Sequence, residues 1–149
     1  MKQYIGTKII KACPMTRGAY NEYRGWTIPS NENPDDEGYL VHYPDGYESW
    51  SPATVFADAY RETTGMPFGL AIEAAKKGKR IARAGWNGKN QYVELATRID
   101  YCNIVGDRVN VNHEAIGSRA FAFVGTSGVQ LGWLASQADM LADDWYIVD

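Results

Sequence analysis

The strongest constraint on the fold is the succession of short strand-type runs through glycine turns, with no regular βαβ alternation. Parallel strands need crossover connections of a dozen residues or more, whereas antiparallel strands close through tight turns. Tyr39–Tyr43 and Tyr47–Trp50 flank Pro44-Asp45-Gly46 as a β-hairpin. Ala120–Val124 and Val129–Leu131 flank Gly125-Thr126-Ser127-Gly128 in the same way. Arg80–Ala84, Gln91–Thr97 and Trp145–Val148 read as further strands, and Asn103–Asn112 as an irregular or strand segment with a Gly106-Asp107 turn. Helical signals are fewer. Pro67 opens a helix carrying Phe68, Leu70, Ala71, Ala74 and Ala75, with Gly78 as its C-terminal cap. Ser136 caps a short helix to Ala142, and Asp139, three residues on, is placed to reach back in a capping box. The expected class is α+β: an antiparallel β-sheet packed by one longer and one short helix.

A smaller β-rich module precedes it. Tyr4–Lys11 reads as a strand ended by Pro14, Thr16–Tyr23 as a short helix capped by Thr16, and Ser30–Gly38 as a polar loop. Ser51 is the expected N-cap, and Pro52 the first position, of a helix carrying Val55, Phe56, Ala59 and Tyr60 and closed by Thr63-Thr64-Gly65. The 149 residues therefore divide into a module of unassigned role, 1–64, and a second domain, 65–149.

Composition removes several classes. The chain is 45% hydrophobic, too apolar for disorder, yet has no apolar run long enough for a membrane span. The start of the chain, with Lys2 and Lys8, lacks the apolar region of a secretory signal, so the expected location is the cytoplasm. Cys13 and Cys102 are too few for a disulfide framework or a four-thiolate zinc site. A formal net charge of -3 argues against a partner such as a nucleic-acid polymer or an anionic membrane. The charge is uneven, however. Ala74–Val93 holds no acid and six of the fifteen basic residues, Lys76, Lys77, Lys79, Arg80, Arg83 and Lys89. The first three suit the end of a helix. Arg83 and Lys89 flank a glycine turn and are the better candidates for an anion site.

Catalytic patterns are missing from the sequence. There is no phosphate-loop motif and no GxSxG elbow. His42 and His113 are far apart without metal spacing, and Asp35-Asp36-Glu37 lacks the calcium-loop pattern. Asp139, Asp143 and Asp144 read as capping and a solvated face. What remains suits binding. Trp86 is followed by Asn87, Gly88 and Lys89, and Trp133 by Ser136, Gln137 and Asp139. Indoles offer stacking faces, amides match base edges or ribose hydroxyls, and Gly85 and Gly88 let backbone N–H groups approach an anion. The bland alternative, that both tryptophans are core residues at strand ends, stays open on spacing alone.

The stretch from Phe68 to Lys89, FGLAIEAAKKGKRIARAGWNGK, resembles the opening of the second Thoeris anti-defence family of phage proteins. Trp133–Trp145, WLASQADMLADDW, resembles that family's second signature, in the right order. The resemblance covers about 66–149. It implies a protein that is not an enzyme and needs no cofactor or metal. Such proteins bind and hold intact a cyclic ADP-ribose isomer made by a TIR-domain enzyme as an alarm signal. Some members also take cyclic dinucleotides, a point left open for this chain. The resemblance further implies a homotetramer with ligand pockets between protomers, acting in the infected host's cytoplasm.

The ligand-binding residues expected from the resemblance and the residue chemistry together are Arg83, Trp86, Asn87, Gly88, Lys89, Trp133, Ser136, Gln137 and Asp139. Trp86 is assigned stacking, Arg83 or Lys89 the phosphate, and Asp139 ribose hydroxyls or a cap. The competing readings are a phage structural or protein-interaction module, with Tyr39, Tyr43, Tyr47 and Trp50 as its surface, and an enzyme that cleaves such signals.

Overall fold

The computed structural model describes residues 1–86, 90–112 and 119–149. The chain forms two compact units, 1–61 and 62–149, dividing three residues before the boundary expected from the sequence.

In the first unit, β1 (Lys11–Pro14), β2 (Gly38–His42) and β3 (Glu48–Pro52) form an antiparallel sheet in that order. The hairpin appears where the turn chemistry puts it, with Gly46 at φ 88°. Helix α1 (Arg17–Tyr23) starts at Thr16, whose side chain accepts from Ala19 N. Helix α2 (Ala53–Ala59) packs back on the hairpin, Phe56 stacking on Tyr39 with ring centroids 4.0 Å apart.

Two expectations fail here. Tyr4–Ile10 is not a strand. Lys11 pairs with His42, the last residue of β2, so everything before Lys11 runs past the end of its neighbour and has no ladder to join. Ser51 does not cap α2. It stays in β3 opposite Tyr39, Pro52 holds the cap position without a side-chain bond, and Glu37 O accepts from Ala53 N. The helix ends at Ala59 because Tyr60 is already extended, before Thr63.

The second unit is an α+β fold. Helix α3 (Phe68–Lys76) leads through Gly78, at φ 88°, into β4 (Arg80–Arg83). Then come β5 (Tyr92–Ala96), a small hairpin of β6 (Tyr101–Cys102) and β7 (Arg108–Val109), β8 (Ala120–Gly125), β9 (Gly128–Leu131), α4 (Gln137–Met140) and β10 (Trp145–Val148). The main sheet is antiparallel in the order β10-β4-β5-β8-β9. The last strand therefore returns beside the first, with Trp145 opposite Arg83 and Ile147 opposite Ile81.

Small residues on one face of α3, Ala71, Ala74 and Ala75, let the helix sit close on the sheet. They enclose Met66, Ile81, Val93 and Trp145, all buried. This core fixes the β4–β10 pair, which carries the candidate site. No described helix is long and apolar enough to cross a membrane.

Candidate functional site

Arg83 ends β4, and a turn follows at once: Ala84 N donates to Asp144 O at 3.2 Å and Trp86 N to Arg83 O at 3.2 Å. Trp133 follows β9. Gly132, at φ 91°, bends the chain so that Gly132 N and Trp133 N both donate to Phe121 O at 2.9 Å. These two local devices bring Trp86 and Trp133 to the same place. Their ring centroids lie 6.2 Å apart at 73°.

Trp145 joins them from below. It is fully buried, 5.3 Å from Trp86 and 6.0 Å from Trp133, with interplanar angles of 77° and 73°. Phe123 meets Trp86 at 5.4 Å, and Phe68 meets Trp133 at 6.3 Å. The contacts among the three tryptophans and between Trp86 and Phe123 are edge-to-face, matching the positive ring edge to the negative face, while Phe68 meets Trp133 at a tilt. Trp86 and Trp133 remain half-buried, so the pair is both part of the core margin and open to solvent.

The polar half of the site is an ion cluster. Arg83 Nε donates to Asp144 Oδ1 at 2.9 Å, and Arg83 Nη1 to Asp139 Oδ1 at 2.9 Å. Asp144 Oδ2 accepts from Gly85 N at 3.1 Å. Asp139 closes the capping box of α4: its Oδ2 accepts from Ser136 N at 3.0 Å while Ser136 Oγ accepts from Asp139 N at 3.1 Å. Trp145 Nε1 donates to Asp139 O at 2.8 Å, so the cluster is stitched to the aromatic group.

The charges follow this geometry. The hydrogen bonds to Asp144 and then to Asp139 raise the Arg83 pKa. The Arg83 hydrogen bond, helped by Gly85 N–H and opposed by burial, lowers Asp144 below the ordinary carboxylate value. For Asp139 burial pushes up, but the Ser136 N–H and Arg83 together outweigh it, and the net shift is downward.

Of the expected site residues, Arg83, Trp86, Trp133, Ser136 and Asp139 are brought into one group. Gln137 is the exposed first residue of α4 beside them. Asn87, Gly88 and Lys89, and also His113, lie outside the described residues. Arg83, expected to be available to a phosphate, is held by two carboxylates, and the anion at Gly85 N–H is the protein's own Asp144. Asp144, read from the sequence as part of a solvated face, and Trp145 and Phe123 were not among the expected site residues. The available signal was Arg83 near the end of one strand and Asp144 just before the start of another, and it becomes legible only once β4 and β10 are neighbours. Among the described residues, no group of three or more His, Cys, Asp or Glu side chains is arranged to hold a metal ion.

Residues 66–148 match the family described as the Thoeris anti-defense 2-like domain. The chain is also 34% identical over 87 residues to Thoeris anti-defense 2 of Bacillus phage SP01, an alignment spanning 57% of this chain and 97% of that protein. The match begins at the buried Met66 and ends in β10, so it takes in the sheet, α3, α4 and the aromatic–ionic cluster. The chain belongs to the Thoeris anti-defense 2-like family.

Proposed function

We propose that this protein blocks Thoeris defence by binding and holding, without cleaving, a cyclic ADP-ribose-type signal made by a TIR-domain enzyme. Cyclic dinucleotides of a related defence system are the second ligand class to be tried against the same protein. The observation that carries the reading is the half-exposed Trp86–Trp133 pair, set on the buried Trp145 within the span that matches the family.

Such a pair suits the purine of a nucleotide. Trp86 and Trp133 supply ring faces; Ser136 and Gln137, with Asn87, Gly88 and Lys89, supply polar contacts to ribose and phosphate. Arg83 and Asp139 support these groups from behind. Competing with a signalling effector calls for nanomolar affinity, about −12 kcal/mol. Stacking contributes roughly 1–3 kcal/mol per base. Pocket burial and charge-assisted contacts must add the remainder, and a homotetramer with pockets between rigid protomers lowers the ordering cost. The site of action in this reading is the cytoplasm of the infected host cell.

The test is depletion and recovery. The purified protein is mixed with the cyclic ADP-ribose isomer or a cyclic dinucleotide, free ligand is removed and measured, and the protein is then heat-denatured. Depletion followed by full release of intact ligand is expected. Depletion with altered or missing ligand would replace sequestration by cleavage, and no depletion would overturn the reading.

A further inference from the structure

We propose that Asp144 is the positioning residue of the ligand-binding turn, and that Arg83 acts as a neutralised strut for it rather than as a phosphate contact. The inference rests on the sequestration reading above.

One residue holds three consecutive neighbours. Asp144 takes Arg83 Nε on Oδ1, Gly85 N on Oδ2, and Ala84 N on its backbone oxygen, at 2.9, 3.1 and 3.2 Å. Trp86 is the next residue, and its own N–H is turned back onto Arg83 O. The direction in which the Trp86 indole leaves the sheet is thus set by a turn fastened at every preceding position. A carboxylate that accepts a guanidinium N–H and a backbone N–H through different oxygens is fixed in rotation as well as position.

The same contacts argue against Arg83 meeting phosphate. One guanidinium faces two carboxylates, Asp139 and Asp144, and its side chain is only 20% exposed. The local charge of the trio is negative. A phosphate drawn to Arg83 approaches both carboxylates as well, and like charges at such range repel. A guanidinium so placed serves geometry: its planar fork bridges two carboxylates as a lysine's point charge does not.

The experiment uses the full chain with Asp144→Asn, Arg83→Met and Arg83→Lys. In ligand-free protein, hydrogen exchange at the Gly85 amide is followed by NMR. Binding of the cyclic ADP-ribose isomer is measured by calorimetry at low and high ionic strength. Asp144→Asn is expected to speed Gly85 exchange and weaken binding, each by roughly tenfold or more, as pre-organisation is lost. Both Arg83 variants are expected to weaken binding similarly, Lys as much as Met, while the salt dependence of binding stays that of the unaltered protein.

A salt dependence that flattens in Arg83→Met but survives in Arg83→Lys would make Arg83 a phosphate contact and overturn the strut. Unchanged Gly85 exchange and affinity in Asp144→Asn would overturn the positioning role. If Arg83→Met does not fold, Arg83→Lys still decides: full affinity there counts against the fork. If the unaltered protein binds no such ligand, the sequestration reading fails, and Gly85 exchange in free Asp144→Asn still tests whether the turn is held as described.

Discussion

Arg83 and Asp144 stand 61 positions apart in the chain, and their side chains meet at 2.9 Å. The meeting follows from strand order. Strand β10 returns antiparallel to β4 with Trp145 opposite Arg83, which leaves Asp144 level with the turn that leaves β4. Asp139 reaches the same guanidinium from α4. The turn after β4 and the stretch from α4 to β10, both inside the span that matches the family, are therefore joined by ion pairs, with Trp145 buried beside them.

Acid should loosen this junction. Asp139 and Asp144 both titrate below the ordinary carboxylate value in the folded protein. The native state then holds fewer protons than the unfolded chain in the acid range. The stability these groups contribute is present above their unfolded pKa, near 3.8, and is lost as the pH falls through the depressed folded values. Urea unfolding of the 62–149 unit should be steady from neutral pH to about pH 5 and weaken below about pH 4. The doubly substituted Asp139→Asn, Asp144→Asn chain should lose much of that slope. An acid transition equally steep in the double variant would assign it to other carboxylates.

Trp145 should be the most costly single truncation in the second unit. It is fully buried, touches Trp86, Trp133 and Phe68, and donates its indole N–H to Asp139 O. Trp145→Ala should cost about 3–5 kcal/mol, the range for a large aromatic removed from a core. Trp145→Phe keeps a ring but leaves Asp139 O without that donor, for a loss of about 1–3 kcal/mol. Denaturant unfolding gives both values. A loss under about 1 kcal/mol for the alanine variant would mean that the site collapses to fill the space.

How much of this was legible in sequence depends on how local each cause is. Helix α3 was legible through its alanine face and Gly78, and β10 through its unbroken apolar run, because burial against one partner writes a pattern into consecutive residues. The capping box was legible because its partners are three residues apart. Tyr4–Ile10 has strand composition but no strand beside it, and composition does not record where a neighbour stops. Ser51 has the right side chain for a cap, yet the hairpin register keeps it in β3. Arg83 looked like a free cation because its partners lie 56 and 61 residues away. For the same reason Asp144 looked like one acid on a solvated face.

The two caps make a paired test. Ser136→Ala removes the Oγ acceptor of the capping box, and Thr16→Ala removes the acceptor for Ala19 N. Each should destabilise its own unit by about 1 kcal/mol. Ser51→Ala should change stability by no more than about 0.5 kcal/mol, since no α2 amide bonds to its side chain. Chemical denaturation of the three variants checks the ranking, and a Ser51 effect equal to that of Thr16 would contradict the observed start of α2.

Gly38 should resist any side chain. A Cβ there would run into the Trp50 ring and into Ser51 O across the β2–β3 pair. Trp50 cannot swing away cheaply, because its Nε1–H donates to Met15 O at 2.7 Å. Gly38→Ala should destabilise the first unit by about 1–3 kcal/mol through overpacking. Gly69, whose Cβ would meet nothing, is the control: Gly69→Ala, inside α3, should be neutral or stabilising by up to about 1 kcal/mol. Thermal unfolding of the two variants should move in opposite directions, or only the first should move.

Trp86 and Trp133 should separate binding from folding in a way Trp145 cannot. Both are half-buried at the core margin, and the buried Trp145 they touch also packs on Phe68 and bonds to Asp139 O. Trp86→Ala and Trp133→Ala should therefore leave a folded chain while removing one stacking face each. Loss of one face costs roughly 1–3 kcal/mol, which is about a 5- to 150-fold weaker hold on the cyclic ADP-ribose isomer. Trp26→Ala, in the first unit and 53% exposed, should leave capture unchanged. The double variant should lose no more than the sum of the two if the rings act on separate faces of the ligand, and less if they share one. Calorimetric titration of the four chains, each checked for an intact thermal transition, settles the point: full affinity in both single variants would show that the ligand does not stack on this pair.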